Sequence, residues 1–357
     1  MPQVTFDNSN HQVFQSIKKS VDTYFDSRQL RKTGDWRLHL KAVILIPTAI
    51  ILYLYLLLAH YTPLAGILLA MLFGLNLVGI AFNVMHDACH GSYSGKKWVN
   101  ACLSLTMNAL GANAFIWKIK HNVIHHTYTN IDGVDDDIDN SFLIRQCPTQ
   151  KWRPIHRFQF LYMFGLYAIS TIIWVLGTDF IKYFSRKIYT TPIKRIPAKE
   201  HALFWVSKVL YAFFYILLPM YCVGWQTWLV GFLIVHGAMG LSLSIVFQLA
   251  HAVEKSAYYA AREGHKVIPS EWAIHEIKTT SDFAPRNKIV SWLTGGLNFQ
   301  IEHHLFPQVS HVHYPALSEI VREQCAIFNL PYNYYPSMGQ AIYSHVRWMK
   351  NLGKKHL

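Results

Sequence analysis

The feature that most constrains the fold is a run of 45 residues, Val209–Val253, that contains no Asp, Glu, Lys or Arg. A helix needs about 20 apolar residues to cross the hydrocarbon core of a bilayer. Together with the preceding Ala202–Ser207, the run therefore predicts two membrane spans, broken near Gly224–Gln226. Lys208 lies roughly two turns inside the first of them, where a cation can only snorkel to the surface or line a cavity.

A second apolar hairpin is predicted earlier in the chain. Ala42–Ala59 and Tyr61–Met85 carry no charge and are separated by the polar turn around His60–Pro63. Only 15% of all residues are charged, against about 25% in soluble domains, so an ordinary soluble enzyme is disfavoured. The net charge of +13 indicates the cytoplasmic face of a membrane rather than nucleic acid, for which the sequence shows no binding module.

Histidines are the second informative feature, because three clusters of them lie near the ends of the predicted spans. Residues four apart share one face of a helix, so two such histidines can bind a metal ion from one side. One pair alone is often incidental, but three clusters, two of them with adjacent histidines, predict a metal site. Their number exceeds the four ligands of a zinc-type site, so we expect two ions, and imidazole is compatible with iron, zinc and copper. The predicted ligands are His86 and His90, then His121, His125 and His126, then His303 and His304, with lone His251 where the last span ends.

At these residues the chain resembles the membrane fatty acid desaturases, which carry three histidine boxes after membrane hairpins. The resemblance covers roughly Leu38–Leu317, and the third box reads Gln-Ile-Glu-His-His over Gln300–His304. It implies a non-haem centre of two irons bound by the eight histidines, O2 as co-substrate, and a cis double bond introduced into an acyl chain on CoA or on a lipid. Gln300, in place of the first histidine of box three, resembles the front-end (linoleoyl-CoA desaturase-like) subclass, which acts between an existing double bond and the carboxyl end.

Supporting residues are expected around such a centre, because a metal-bound imidazole usually donates its other N–H to a carboxylate or carbonyl. The candidates for a further ligand or for such a partner are Gln300, Asp87, Asn130 and Glu302, along with Asn83 and Asp135–Asp137. An apolar tunnel for the acyl chain is predicted at Trp117, Trp292 and Phe299. Four other histidines are interpreted as ordinary interfacial residues, namely His60, His236, His311 and His313.

The electron donor is expected to be a separate protein. Met1–Arg37 is too short for the cytochrome b5 domain fused to many eukaryotic front-end enzymes, and the His-Pro-Gly-Gly haem motif of that domain is absent from the sequence. The resemblance therefore implies ferredoxin or free cytochrome b5 as the donor.

Parity sets the predicted topology, since the boxes can meet only if they lie on one side of the membrane. Trp98–Phe115 and Phe158–Thr178 are apolar enough to be spans but would break that parity, so neither is expected to cross. The prediction is an all-α integral membrane protein with four transmembrane helices in two hairpins, interfacial helices and a histidine-rich di-metal cap. The spans fall at about residues 40–60, 64–85, 202–223 and 227–250.

The predicted domain organisation follows from these spans. A desaturase domain at 38–317 is flanked by cytoplasmic segments at 1–37 and 318–357. Six basic residues between Lys182 and Lys199, with Lys96 and Lys97, lie on the side of the boxes. The positive-inside rule places that side in the cytoplasm, beneath a bacterial inner membrane or the endoplasmic reticulum.

Three other functions stay open at this point. A hydroxylase of lipids or alkanes could use the same scaffold. A membrane zinc hydrolase is a second alternative, although His275-Glu276 lacks the second histidine of an HExxH motif. A transporter with a histidine-lined path is the third, and its weakness is that the paired histidines lie outside the spans.

Overall fold

A computed structural model describes residues 4–7, 11–138, 141–261 and 267–355 of the chain. The described part is mostly helical, as expected from the sequence. Its α-helices are Gln12–Ser27, Trp36–Leu58, Pro63–Ile80, His86–His90, Lys97–Ser104, Thr106–Ala109, Ala114–Lys118, His126–Tyr128, Gln159–Ile173, Asp179–Ser185, Ala198–Tyr211, Leu218–Val223, Trp225–His251, Trp272–Thr279, Lys288–Leu293, Gln300–Leu305, Tyr314–Ile327 and Met338–Leu352.

Four π-helical segments in the described part of the chain continue these helices and change which residues share a helix face. They are Ala81–Met85, Ile119–His125, Trp174–Thr178 and Ala212–Leu217. Three short 3₁₀ turns lie at Asp136–Ile138, Pro154–Phe158 and His311–His313. Joined through the π-segments, the helices form continuous rods such as Pro63–His90, which leads directly into the first histidine cluster.

Among the described residues, five helices are long and apolar enough to cross a membrane, whereas four spans were predicted. Four of the five contain the predicted spans, namely Trp36–Leu58, Pro63–His90, Ala198–Val223 and Trp225–His251. The fifth, Pro154–Ser185, contains the run Phe158–Thr178 that was expected not to cross. The run Trp98–Phe115 lies in a pair of helices, Lys97–Ala109 and Ala114–Tyr128, bent by 111°, the geometry of a broken or re-entrant segment.

Local sequence explains where the apolar helices begin and how closely they pack. Asp35 accepts a hydrogen bond from the Arg37 backbone N–H at 2.9 Å, which caps the helix that begins at Trp36. At Gly240, a Cβ atom would come within 2.4 Å of the Tyr167 carbonyl oxygen. Glycine therefore lets Pro154–Ser185 pack directly against the last apolar helix.

The strands are short, in agreement with the weak β signals of the sequence. Each strand among the described residues has two residues, and they form four two-stranded pairs. Three pairs are parallel and join distant parts of the chain: Thr5–Phe6 with Val267–Ile268, Ile131–Asp132 with Tyr259–Ala260, and Asp282–Phe283 with Tyr334–Tyr335. The antiparallel pair, Lys187–Ile188 with Thr191–Pro192, is a hairpin.

Both terminal segments pack into the cap that carries the histidines. Helix Gln12–Ser27 buries Ile17 and Phe25 in one cluster with Val321 and Cys325. The Glu271 carboxylate accepts hydrogen bonds from the N–H groups of Val13 and Phe14 at its first turn. Domain boundaries at 38 and 317 remain predictions, but residues on either side of them share one core.

Lys208 neither snorkels nor faces an open cavity. Its side chain is buried, and Nζ donates to the Asp179 carboxylate at 2.9 Å and to the carbonyl oxygens of Gly111 and Val175 at 2.7 and 2.8 Å. The lysine thereby joins three segments: the bend of the re-entrant pair, the π-segment Trp174–Thr178 and its own helix.

Candidate metal centre

Four parts of the chain bring the predicted histidines together beneath the apolar helices. His86 and His90 end the rod Pro63–His90, and His251 is the last residue of Trp225–His251. The second cluster lies on the π-segment Ile119–His125 and the residue after it, and the third lies on helix Gln300–Leu305. All eight side chains are buried except that of His90, which is partly exposed.

The π-segment explains why the second cluster supplies three imidazoles rather than two. The sequence argument assumed an α-helix, in which His121 and His125 share a face. A π-helix pairs residues five apart, and this also turns His126 toward His121, with the two Nε2 atoms 3.2 Å apart.

The first group of potential ligands consists of His86, His90, His121 and His303. One nitrogen from each lies within 4.8 Å of one nitrogen from every other. The Nε2 atoms of His86 and His121 are 3.4 Å apart. Two nitrogens bound at roughly 2.1 Å to one ion lie about 3.0–3.4 Å apart, so the spacing fits ligands of a common metal.

The second group consists of His125, His251 and His304, and it meets the same 4.8 Å criterion. It adjoins the first, because the rings of His121 and His125 are stacked with their centroids 5.3 Å apart. Asp137 forms a third, overlapping group with His121 and His125. The centre thus offers two neighbouring positions for metal ions.

Several imidazole nitrogens at the centre are buried without a hydrogen-bond partner among the described residues. Unpaired buried nitrogens carry a free-energy cost, and a metal ion would remove it by binding their lone pairs. Burial, reinforced by the neighbouring His126, holds the pKa of His303 and of His304 well below the usual value, which keeps both neutral as metal ligands require. The unpaired atoms include Nε2 of His90, His125, His303 and His304, Nδ1 of His126, and both ring nitrogens of His251.

Carboxylates and a hydroxyl orient the rings from behind. His304 Nδ1 lies 2.8 Å from Glu276 Oε2, and His125 Nδ1 lies 3.1 Å from Asp135 Oδ2. His303 Nδ1 lies 3.0 Å from the Tyr314 hydroxyl. Asp135 was among the predicted partners, whereas Glu276 and Tyr314 were not.

The other predicted supporting residues act at different distances from the centre. Asp87 accepts a hydrogen bond from Ser310 at 2.7 Å and lies 3.1 Å from His311 Nδ1, but 3.9 Å from His86 Nδ1. Asn130 Nδ2 donates to the His251 carbonyl oxygen at 3.0 Å. It therefore fixes the backbone of the predicted ligand His251 rather than its ring.

Gln300 and Glu302, the predicted residues of box three, differ in their surroundings. Gln300 Nε2 donates to the Leu297 carbonyl oxygen at 2.8 Å, and its side chain lies beside the His251 imidazole. The Tyr332 hydroxyl instead lies 3.0 Å from Glu302 Oε1 and 2.6 Å from Asp282 Oδ2, so that the two carboxyl groups share its single proton.

The three predicted tunnel residues are dispersed. Trp117 stacks on His121 with ring centroids 4.4 Å apart. Trp292 is exposed beside Lys41, and Phe299 is buried in the core around helix Gln12–Ser27.

Two mainly apolar cavities lie among the long helices. Their volumes are about 550 and 530 Å³. Among the described residues, neither cavity is lined by the predicted tunnel residues. The two share Tyr53, Phe73, Leu77, Tyr211 and Tyr215 in their walls.

Three of the four histidines interpreted as interfacial are buried beside polar groups. His236 Nε2 lies 2.7 Å from the Tyr211 hydroxyl, and its Nδ1 lies 2.9 Å from the Thr171 hydroxyl. His311 lies between Asp87 and Lys41. His313 is also buried, with Nε2 3.4 Å from the Thr33 carbonyl oxygen. For these three residues the interfacial interpretation was wrong.

Comparison with known proteins gives a consistent family. The family model for fatty acid desaturase matches residues 59–336. The chain is 32% identical to an sn-1 linoleoyl-lipid 6-desaturase of Synechocystis sp., with 95% of this chain and 94% of that protein aligned. It is 30% identical to the enzyme of the same name from Arthrospira platensis, over 94% and 91%, and 31% identical to an acyl-lipid (8-3)-desaturase of Physcomitrium patens, over 97% and 73%.

Proposed function

Because this chain belongs to the fatty acid desaturase family, we propose that it introduces a cis double bond into an acyl chain in an O2-dependent reaction at two irons. The family establishes an integral membrane oxidoreductase with a metal-binding histidine cluster and an acyl lipid as substrate. The observation that carries the proposal is the convergence of eight histidines, six of them with unpaired ring nitrogens among the described residues, from four distant parts of the chain.

The two groups of histidines define the proposed ligand sets. His86, His90, His121 and His303 would hold one iron, with His126 beside them, and His125, His251 and His304 would hold the other. Gln300 lies next to His251 of the second set. Because His125, His251 and His304 supply only three imidazoles, an ion held by them would also accept exogenous ligands.

Irons bound there would supply the oxidant that removes hydrogen from an unactivated methylene group, which acid–base chemistry cannot do. Reduction of O2 to two waters takes four electrons. The acyl chain gives two as the double bond forms, and an external donor gives two. The chain's own residues hold the imidazoles in place: Glu276 fixes His304, Asp135 fixes His125, and Tyr314 fixes His303. The burial of these imidazoles would keep bulk water away from the carbon atoms that react.

The proposed substrate is a glycerolipid-bound unsaturated acyl chain, desaturated on the carboxyl side of an existing double bond. The relatives named as linoleoyl-lipid 6-desaturases and acyl-lipid (8-3)-desaturase support this choice over acyl-CoA. The cavity of about 550 Å³ has the size of a ligand site and mainly apolar walls. It would accept the methyl end of the chain.

The proposed topology keeps four spans with the metal centre in the cytoplasm. Both ends of the fifth helix, Pro154–Ser185, contact the stretch that follows the second histidine cluster, His121–His126, which is box two of the family. His156 near its start lies 3.0 Å from the Phe142 carbonyl oxygen, and Lys182 near its end forms an ion pair with Asp136. These contacts support a helix whose two ends both lie on the side of the cap.

Expression in a host fed linoleate, with double-bond mapping of the lipids, tests the proposal. We expect a new double bond on the carboxyl side, and about two irons per chain in purified active protein. The His125→Ala/His126→Ala variant should give no product. An alcohol instead of an alkene would identify a hydroxylase, and active protein containing zinc without iron would identify a hydrolase.

A further inference from the structure

An exposed basic hairpin lies behind the helix that carries the second histidine box. Residues 186–199, here called the basic hairpin, contain five cations and no acidic residue. All five cations are exposed, and none forms an ion pair with another residue in the described part of the chain. They are Arg186, Lys187, Lys194, Arg195 and Lys199.

The buried side of the basic hairpin is attached to the metal centre. Ile188, Ile193 and Ile196 share one hydrophobic cluster with Ile116 and Ile124 of the helix of box two. Ile124 immediately precedes the ligand candidate His125.

A polar connection runs alongside this apolar one. In the loop after box two, the Gly133 carbonyl oxygen accepts a hydrogen bond from the Thr190 hydroxyl at 3.0 Å. Asp136 pairs with Lys182, which lies four residues before the hairpin. Asp137 lies 3.5 Å from His125 Nδ1. A partner seated on the hairpin would thus be separated from a metal ligand by one packed layer.

From this arrangement we infer that the basic hairpin is the docking surface for the electron donor, a small redox protein with an acidic face. The inference rests on the proposed function, which needs two electrons from outside. An unpaired cluster of five cations attracts an acidic partner over a distance of about a Debye length and raises its association rate. Anionic lipid is the competing occupant, because the apolar helices Pro154–Ser185 and Ala198–Val223 flank the hairpin. The attachment to box two favours the redox partner, since lipid headgroups have no need of a path to a metal ligand.

The test compares two charge reversals in full-length, iron-loaded protein held in phosphatidylcholine nanodiscs, which carry no anionic lipid. Lys194→Glu/Arg195→Glu changes the hairpin. Lys96→Glu/Lys97→Glu is the matched control, since it reverses two adjacent exposed cations elsewhere on the predicted cytoplasmic side. The donor is a reduced [2Fe–2S] ferredoxin kept reduced by NADPH and its reductase.

For the hairpin variant we expect the apparent KM for ferredoxin to rise about tenfold, with a weaker dependence on salt, while the control stays near the parent protein. Ferredoxin binding, measured by titration without turnover, should weaken by the same factor. Protein reduced with dithionite, desalted and then exposed to O2 should form alkene equally well in all three forms.

Two outcomes would overturn the inference. One is a hairpin variant with unchanged ferredoxin binding, and the other is a control that loses as much binding. Loss of binding to phosphatidylglycerol vesicles without any change toward ferredoxin would assign the hairpin to lipid instead. Failure of the dithionite-reduced parent protein to form alkene would refute the proposed function. The binding titration does not depend on turnover and would still test the docking surface.

Discussion

Replacement of Glu276 by glutamine is the most direct test of how the second ligand set is held. Glu276 is fully buried, and its carboxylate accepts hydrogen bonds from His304 Nδ1 at 2.8 Å and from the Thr129 hydroxyl at 2.9 Å. If His304 binds metal through Nε2, then Nδ1 must carry the proton and donate to Glu276. The carboxylate therefore fixes both the tautomer and the ring orientation of this ligand.

The expected loss of affinity for the second iron follows from the hydrogen bond between Glu276 and His304, which the substitution weakens. A hydrogen bond to a charged partner contributes about 1.5–3 kcal/mol, and tenfold in affinity corresponds to about 1.4 kcal/mol. Burial raises the pKa of Glu276, and the hydrogen bond from Thr129 opposes that shift; a cation bound at His304 would hold the group as a carboxylate. Glutamine keeps the shape and an acceptor oxygen but cannot carry that charge. We therefore expect the Glu276→Gln variant to bind the second iron about 10–100-fold more weakly, with a parallel fall in desaturation. The first iron, whose proposed ligands do not contact Glu276, should be retained.

Iron stoichiometry during titration with a chelator is the appropriate assay, because it resolves two ions of different affinity. Glu302→Gln is the matched control: Glu302 is equally buried and lies next to a ligand in sequence, but its carboxylate contacts Tyr332. The control should release both irons like the parent protein. Release of both irons at parental chelator concentrations from Glu276→Gln would refute the orienting role, as would an equal loss from the control.

Three further predictions concern stability. Lys208→Met leaves Asp179 buried without its cation, so the free energy of unfolding should fall by about 3–5 kcal/mol, and thermal unfolding in detergent should show that Lys208→Met/Asp179→Leu recovers part of the loss. Burial lowers the pKa of His345 to about 4 from 6.5, so between these pH values the unfolded chain binds a proton that the folded chain does not. The contribution of His345 to stability is therefore complete above pH 6.5 and falls by about 3 kcal/mol toward pH 4. His345→Gln should flatten the measured pH profile of the unfolding midpoint in that window. Removal of metal with a chelator should lower the unfolding midpoint, because the unpaired imidazole nitrogens of the cap lose their ligand, whereas an unchanged midpoint would show that the cap is stable without metal.

Sequence spacing predicted which histidines converge because ligands at one site must be brought to one face, and helical periodicity makes that face readable. It did not predict the π-segment Ile119–His125, since a change from four-residue to five-residue pairing leaves no mark in composition. Glu276 was missed for a different reason. Read along the chain, His275-Glu276 is a fragment of a zincin motif, and only the tertiary fold turns Glu276 toward His304 while His275 points to the Thr129 carbonyl oxygen. The useful signal would have been an acidic residue with no charged neighbour on a short, mainly buried helix.

Hydropathy and parity gave conflicting counts of spans, and the contacts of Pro154–Ser185 show why neither is sufficient alone. High hydropathy indicates that a helix lies in apolar surroundings. The middle of this helix does so, because it packs on the last apolar helix, where Gly240 permits close approach to Tyr167. Parity records where the ends of a helix lie, and here Lys182 and His156 are both tied to the stretch after box two. The basic hairpin that follows Lys182 therefore stays on the side of the metal centre. The same apolar helix, on which the two counts disagree, leads directly into the five exposed cations behind His125.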